Sequence, residues 1–282
     1  MSTIADLLRT RNFAAGDARV LLRETLGVTD AYLIAHADDA VAAEPATRFA
    51  ALAARRAAGE PVAYLVGERE FYGRVFTVSP AVLIPRPDTE LLVALALERL
   101  PLNAPRGVLD LGTGSGCIAI SIALERSVVQ VTATDQSTDA LAVAQTNAAR
   151  LRASNVTFKT GDWFKALINT GDTRAEKFDV MVSNPPYIAE GDAHLTQGDL
   201  RFEPASALAA PANGYACIDV IIADARRHLA ANGWLLLEHG YDQAAGCRER
   251  LRAAGFDAVQ SWRDLAGIER VSGGVSSTAL PA

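Results

Sequence analysis

The chain has 282 residues, half of them apolar and 21% charged, a composition that supports a sizeable buried core and excludes wholesale disorder. Its 27 Lys and Arg against 33 Asp and Glu leave a net charge of −6, whereas proteins that neutralise phosphates normally carry the opposite sign, so a large nucleic-acid-binding face is not expected. Cys117, Cys217 and Cys247 have neither paired nor metal-like spacing, the first thirty residues lack a basic-then-apolar leader, and polar residues interrupt every apolar run before the ~18 needed to span a bilayer. A soluble cytoplasmic protein with no membrane partner is expected, and the length admits one large domain or two smaller ones.

From Ser2 to about Gly67 the chain is rich in Ala, Leu and Arg, and residues such as Leu7, Leu8, Leu21, Leu22, Leu26 and Leu33 recur at three- and four-residue spacings. This predicts a small helical bundle over residues 1–67, punctuated by Gly16-Asp17 and Gly27. Glu44-Pro45 opens a further helix, with proline near a first-turn position where its missing N–H costs nothing. Over Phe71-Tyr72-Gly73-Arg74-Val75-Phe76-Thr77-Val78 the texture turns aromatic and β-branched. Gly73 marks a hairpin turn, and Pro80, Pro85 and Pro87 punctuate the stretch after it, so residues 68–87 are expected to form a hairpin and linker.

Pro87-Asp88-Thr89-Glu90 starts an apolar helix that continues to Leu100. After Arg106 strands and helices alternate. Strands are predicted at Val108 to Leu111, Val128 to Thr134, Val156 to Thr160, Phe178 to Ser183 and Trp234 to Glu238. Helices are predicted at Gly116 to Glu125, Thr138 to Leu151, Ala216 to Ala231 and Gln243 to Ala254. Such alternation implies an α/β domain over residues 88–282, a mostly parallel sheet with helices on both faces.

Asp110-Leu111-Gly112-Thr113-Gly114-Ser115-Gly116 lies between the first of these strands and its helix. Alternate glycines permit positive φ and close approach of a ligand to the backbone, and the helix start offers free N–H groups. This is a nucleotide-cofactor loop. A dinucleotide fingerprint would need glycine where Cys117 stands, which disfavours NAD and FAD. Asp135, at the end of the second strand, can accept hydrogen bonds from both ribose hydroxyls or cap the next helix. Asp110 has two open roles, one towards a cationic ligand and one structural.

Asn184-Pro185-Pro186-Tyr187 ends the apolar strand Phe178 to Ser183. In an open α/β sheet ligands bind beyond the carboxyl ends of the strands, so this tetrapeptide and the glycine loop should share one edge. Two prolines stiffen the turn and remove two donors while leaving carbonyl acceptors, and Asn184 supplies both a donor and an acceptor. That set suits a planar group bearing N–H donors, with Tyr187 as a face to pack it.

Taken together, these two motifs resemble the S-adenosylmethionine-dependent methyltransferases that modify planar amino or amide nitrogen. Leu83-Ile84-Pro85-Arg86-Pro87-Asp88-Thr89-Glu90, Gly161-Asp162-Trp163-Phe164 and Arg201-Phe202-Glu203-Pro204 narrow the resemblance to the peptide chain release factor N(5)-glutamine methyltransferases, the PrmC/HemK family. The resemblance implies a Rossmann-like class I methyltransferase domain behind a small N-terminal helical bundle that docks the substrate. It implies S-adenosyl-L-methionine as cofactor, S-adenosyl-L-homocysteine as product, and bacterial class I release factors as partners. It further implies that Gly112, Thr113, Gly114, Ser115 and Gly116 hold the methionine moiety and adenosine, Asp135 the ribose, and that Trp163 packs near the adenine. Asn184 would sit between cofactor and substrate, and Pro185, Pro186 and Tyr187 would complete a glutamine pocket. Arg86, Glu90, Arg201 and Glu203 are supporting candidates, an inter-loop salt bridge being as open as substrate contact for the last two.

The expected reaction is methyl transfer to the side-chain amide nitrogen of the glutamine in a Gly-Gly-Gln motif, with Asn184 and Pro185 catalytic and no metal. His194 and His239, the nearest candidate bases, are expected to be ordinary loop or strand-end residues. The alternatives are an adenine-specific DNA or RNA methyltransferase, disfavoured by the net charge and by the near-neutral residues 1–75, which carry 9 cations and 10 anions, and a non-catalytic cofactor-binding module, which would predict a damaged tetrapeptide.

Overall fold

The computed structural model describes residues 2–9, 12–167 and 176–277; Met1 and residues 278–282, the outer ends of the two expected domains, lie outside the described residues, as do 10–11 and 168–175. The N-terminal part consists of helices α1 (Ile4–Arg9), α2 (Ala15–Leu26), α3 (Asp30–Ala35), α4 (Ala43–Ala57) and α5 (Val62–Val66). Their apolar stripes meet in one cluster around Leu21, Leu22, Leu33 and Phe49. Gly27 ends α2 in the left-handed conformation, and the Thr29 hydroxyl accepts the Tyr32 N–H to cap α3.

Strands β1 (Glu68–Phe71) and β2 (Arg74–Thr77) pair antiparallel around a two-residue turn, Tyr72-Gly73, with both φ positive. The hairpin is not a free tether. Phe71 and Phe76 are buried in the main core, where helix α6 (Glu90–Glu98), following the 3-10 turn Pro87–Thr89, also packs.

Five parallel strands make the body of the sheet: β3 (Gly107–Leu111), β4 (Gln130–Asp135), β5 (Val156–Thr160), β6 (Phe178–Ser183) and β9 (Leu229–Glu238). Short strands β7 (Ile188–Ala189) and β8 (Ala209–Ala210) pair separately. Helices α7 (Cys117–Glu125), α8 (Thr138–Leu151), α9 (Ala216–His228) and α10 (Ala244–Ala253) cover the sheet. Because side chains alternate along a strand, Val108, Val180, Val182 and Leu236 enter one core with α6 and α7. Leu109, Leu111, Met181, Leu235 and Leu237 enter the other, with α9 and α10.

Besides the short pair β7 and β8, two strands of the main sheet are absent from the sequence-based expectation: β10 (Phe256–Arg263) and β11 (Glu269–Ser276), which extend the sheet to the order β10-β11-β9-β6-β3-β4-β5, with β11 antiparallel to both neighbours. Outer strand β10 is half exposed, and β11 contains Gly273-Gly274, so neither shows apolar alternation. Gly273 is set by close approach, since a Cβ there would lie 2.4 Å from the Leu235 carbonyl oxygen. The helix expected to reach Ala231 stops at His228, because Leu229 pairs with Phe178 and so begins β9 well before Trp234.

Cys117, Cys217 and Cys247 are free thiols. Among the described residues no helix is long and apolar enough to cross a membrane.

One buried side chain ties hairpin, helix and glycine loop together. Asn147 of α8 accepts the Thr77 N–H at Oδ1 (2.7 Å) and donates from Nδ2 to the carbonyls of Thr77 (3.0 Å) and Ser115 (2.9 Å). Replacing it strands buried backbone groups, so Asn147→Ala is expected to lower stability by about 2–4 kcal/mol, read from urea denaturation midpoints.

Candidate active site

The glycine loop leaves β3 and starts α7. The N–H groups of Gly112 and Thr113 both donate to the Thr134 carbonyl at the end of β4 (2.9 Å each), which folds the loop across the neighbouring strand. Asp135 completes the clamp: one carboxylate oxygen accepts Gly114 N–H and the other Ser137 N–H, both at 2.9 Å. Each oxygen retains a second lone pair for a ligand.

These elements border a cavity of about 560 Å³ lined by Gly112, Thr113, Gly114, Ser115, Asp135, Trp163, Asn184 and Pro186 among others. Trp163, held at φ +49°, lays its indole against Gly112, where an added Cβ would meet the ring at 3.5 Å. Gly116 is outside this lining. It sits at φ +80° before α7, and a Cβ there would crowd Ile120 at 2.8 Å and Ala144 at 3.1 Å, so its smallness serves the contact of α7 with α8.

A smaller recess of about 60 Å³ adjoins the first and is lined by Asn184, Pro185 and Tyr187 with Leu83, Arg86 and Leu208. The two share Leu83, Arg86, Asn184 and Ala207. Asn184 therefore stands on their common wall. Its Nδ2 donates to Thr89 Oγ1 (3.2 Å), and the Tyr187 hydroxyl donates to Glu238 Oε1 at 3.4 Å. Burial pushes the Tyr187 phenol above its ordinary range and the Glu238 carboxyl up to about 7. Thr89 and Glu238 carried no role in the sequence expectation. Their only signals were membership of the Pro87-to-Glu90 segment and a position at the carboxyl end of a strand.

Asp110 lines neither recess. It is wholly buried beneath the loop, where its Oδ2 accepts the Thr113 hydroxyl (2.6 Å), so of its two open roles the structure takes the structural one. Glu203 is an inter-loop partner: its buried carboxylate pairs with Arg86 and accepts the Ile84 N–H (3.0 Å). Arg201 donates to the Ala58 carbonyl (2.5 Å), while Arg56 bridges Asp17 and Asp199, so the 199–203 loop is fastened to the helical bundle. Glu90 accepts the Tyr72 N–H (2.9 Å) and anchors the hairpin turn. His194 is exposed and paired with Asp192. His239 is buried and bonded to Ser272, with burial pushing its pKa down.

The same two-part organisation recurs in known proteins. Residues 89–254 match the methyltransferase small domain and residues 2–67 the PrmC N-terminal domain. The release factor glutamine methyltransferase of Bordetella pertussis is 50% identical over 97% of this chain and 99% of its own. That of Burkholderia pseudomallei is 51% identical over 97% of this chain and 96% of its own. The chain belongs to the release factor glutamine methyltransferase family. It is an S-adenosylmethionine-dependent methyltransferase of class I fold. A crystal structure of a methyltransferase from Pyrococcus furiosus shares that fold at TM-score 0.54 and 20% identity, covering 79% of this chain and 97% of that one.

For a release factor glutamine methyltransferase the glycine loop must hold its shape with a carboxylate buried under it. Burial, opposed by the bond from Thr113, pushes Asp110 up from 3.8 to about 7. The folded state thus binds a proton that the unfolded state has already lost between these values. The stability contributed by Asp110 is present below about 3.8 and is lost as pH rises through about 7. Asp110→Asn should flatten that decline, measured as urea midpoints of both proteins at a series of pH values across the window.

Proposed function

We propose that this chain methylates the side-chain amide nitrogen of the glutamine in the Gly-Gly-Gln motif of bacterial class I peptide chain release factors. The observation that carries this reading is Asn184 on the wall common to the two recesses, beside the carbonyl of Pro185. The larger recess is the cofactor site and the smaller one receives the glutamine side chain.

The residues of the larger recess fit S-adenosylmethionine. Its volume is in the range of small-molecule sites. Asp135, whose oxygens each keep a lone pair free, takes the ribose hydroxyls. Trp163 forms a flat wall for the adenine, and Gly112 to Ser115 offer backbone to the methionine moiety. When bound, the cofactor supplies an electrophilic methyl carbon on a sulfonium, and S-adenosylhomocysteine is left after transfer. Gly116 supports this loop through its contact with α8 rather than by touching ligand.

An amide nitrogen is a poor nucleophile because its lone pair is delocalised into the carbonyl, so orientation must supply much of the rate. Holding reactants in line contributes roughly 7–11 kcal/mol in favourable intramolecular cases. Asn184 Oδ1 and the Pro185 carbonyl accept the two amide N–H groups and aim the nitrogen towards the larger recess. Neither Pro185 nor Pro186 has an N–H to compete for the substrate carbonyl. Acceptors fixed on the N–H groups favour positive charge building on nitrogen during transfer, and the tetrahedral product then loses one proton to solvent. Tyr187 packs against the side chain.

Residues 2–67 dock the release factor outside the motif, and their attachment to the 199–203 loop joins docking to the substrate recess. The cell compartment that fits this partner is the cytoplasm.

Incubation with labelled S-adenosylmethionine and a release factor, and separately with DNA, tests the substrate. Label on the factor, with mass spectrometry locating one methyl on the motif glutamine, is expected; label on DNA alone would overturn the reading. Asn184→Ala should lower kcat by about a hundredfold or more with cofactor affinity retained. Asp135→Ala should instead weaken cofactor binding by about tenfold or more in calorimetry.

A further inference from the structure

Three large apolar side chains stand in solvent at the carboxyl edge of the parallel strands. Leu265 is fully exposed, Tyr241 is 72% exposed and Ile268 37%. Single apolar residues scattered over a surface are ordinary, whereas several on one patch mark a contact. These three share a patch. Strands β9 and β11 pair with Glu238 opposite Val271, and one step further on the His239 N–H donates to the Arg270 carbonyl (3.0 Å). Two more steps in the same register bring Tyr241 level with Ile268, and Leu265 lies in the turn that leads from β10 through Ile268 into β11.

Both turns are braced, and both braces end on segments that reach the smaller recess. Asp264 closes its turn by accepting the N–H groups of Ala266 and Ile268 at Oδ1 (2.9 Å each), and its Oδ2 pairs with Arg270 (3.4 Å). Arg270 also pairs with Asp88 (3.5 Å), two positions after Arg86. Beyond β9, Gln243 accepts the Gly240 N–H at Oε1 (2.8 Å) and donates from Nε2 to the Tyr187 carbonyl (3.1 Å). Arg86 and Tyr187 both line the smaller recess. The patch is therefore a preorganised extension of the recess rim, and a partner that binds it loses little to ordering these turns.

The occupant follows from the position. A folded release factor whose motif glutamine enters the smaller recess has its body over this edge of the sheet. The helical bundle lies on the opposite flank: α5 packs through Tyr64 against Ala140 of α8, which joins β4 to β5, whereas Tyr241, Leu265 and Ile268 continue from β9, β10 and β11. We infer that these three residues form a second docking surface for the release factor, which is thus gripped on both sides of its motif. This rests on the substrate reading above. The contact is apolar, with Tyr241 as its aromatic anchor, and it meets an apolar strip on the domain of the factor that carries the motif. It sets affinity for the whole factor and leaves the transfer step alone, since none of the three lines either recess.

The test combines Tyr241→Ser with Leu265→Ser in the full chain, and uses Leu265→Ser alone as the variant whose parent side chain has no packing to lose. With a release factor as substrate, the double variant should raise KM about tenfold, while kcat at saturation and cofactor affinity by calorimetry stay at the parent values. Calorimetry with a factor whose motif glutamine is replaced by alanine reads docking apart from methyl transfer. It should show the same loss of about tenfold for the double variant, and a smaller loss in the same direction for Leu265→Ser. Parent-like KM and parent-like affinity in the double variant overturn the docking surface, as does a fall in kcat with KM unchanged. If the parent neither methylates nor binds the factor, the substrate reading itself fails and the surface falls with it. If sedimentation shows the parent pairing with itself, and the double variant loses that pairing with factor affinity unchanged, the occupant is a second copy and the inference is again overturned.

Discussion

Two adjacent parallel strands whose chains leave in opposite directions set the site. From β3 the connection runs through α7 to β4 on one side, while β6, on the other side of β3, belongs to the half of the sheet built outward through β9. The loops beyond the carboxyl ends of β3 and β6 therefore diverge, and a crevice opens between them that no short connection can close. Residues 112–115 and 184–187, far apart in sequence, become its two walls. The right-handed crossover of each parallel unit and the burial of both sheet faces make this arrangement a consequence of packing.

The remaining elements hold the walls in place. Asn147 links the loop carbonyl of Ser115 to the hairpin strand β2, and Asp135 and the Thr134 carbonyl hold the loop N–H groups. Opposite, Arg86 pairs with the buried Glu203, and Tyr64 of α5 donates to the Val82 carbonyl (2.6 Å), bringing the helical bundle against a segment that lines the cavity. Exposed pairs such as Arg56–Asp199 add little stability. The effect of Arg56–Asp199 is geometric, because it joins the bundle to the loop that borders the smaller recess. The buried carboxylate of Glu203 is tolerated because Arg86 and the Ile84 N–H satisfy it, and removing either would strand a charge.

Much of the fold was legible in the chain. The central parallel strands β3 and β6 are short, largely apolar runs because both faces of the sheet are covered there, and the glycine loop and the Asn-Pro-Pro-Tyr turn stand out by composition. What stayed hidden has physical causes. Strand β10 is half exposed and β11 carries paired glycines, Gly273 set by the closeness of β9 and Gly274 by that of β10, so neither bears an apolar pattern. The hairpin at 68–77 looked like part of a linker because Pro80, Pro85 and Pro87 follow it closely, yet Phe71 and Phe76 belong to the main core. Gly116 looked like its two neighbours and differs only in facing α8.

Local pattern in the chain was enough for the family and the layered α/β fold, because the motifs that carry them combine residue types that few other settings require. Which polar groups meet was settled by folding in three dimensions. Arg86 and Glu203 are 117 positions apart, Asn184 and Thr89 are 95 apart, and Tyr187 and Glu238 are 51 apart. A hydrogen bond depends on distance and direction in space, and no local pattern records which distant side chain will accept or donate. Asp110 shows the same limit within a single motif, since its neighbours in sequence suit a ligand contact and its burial makes it a support for the loop.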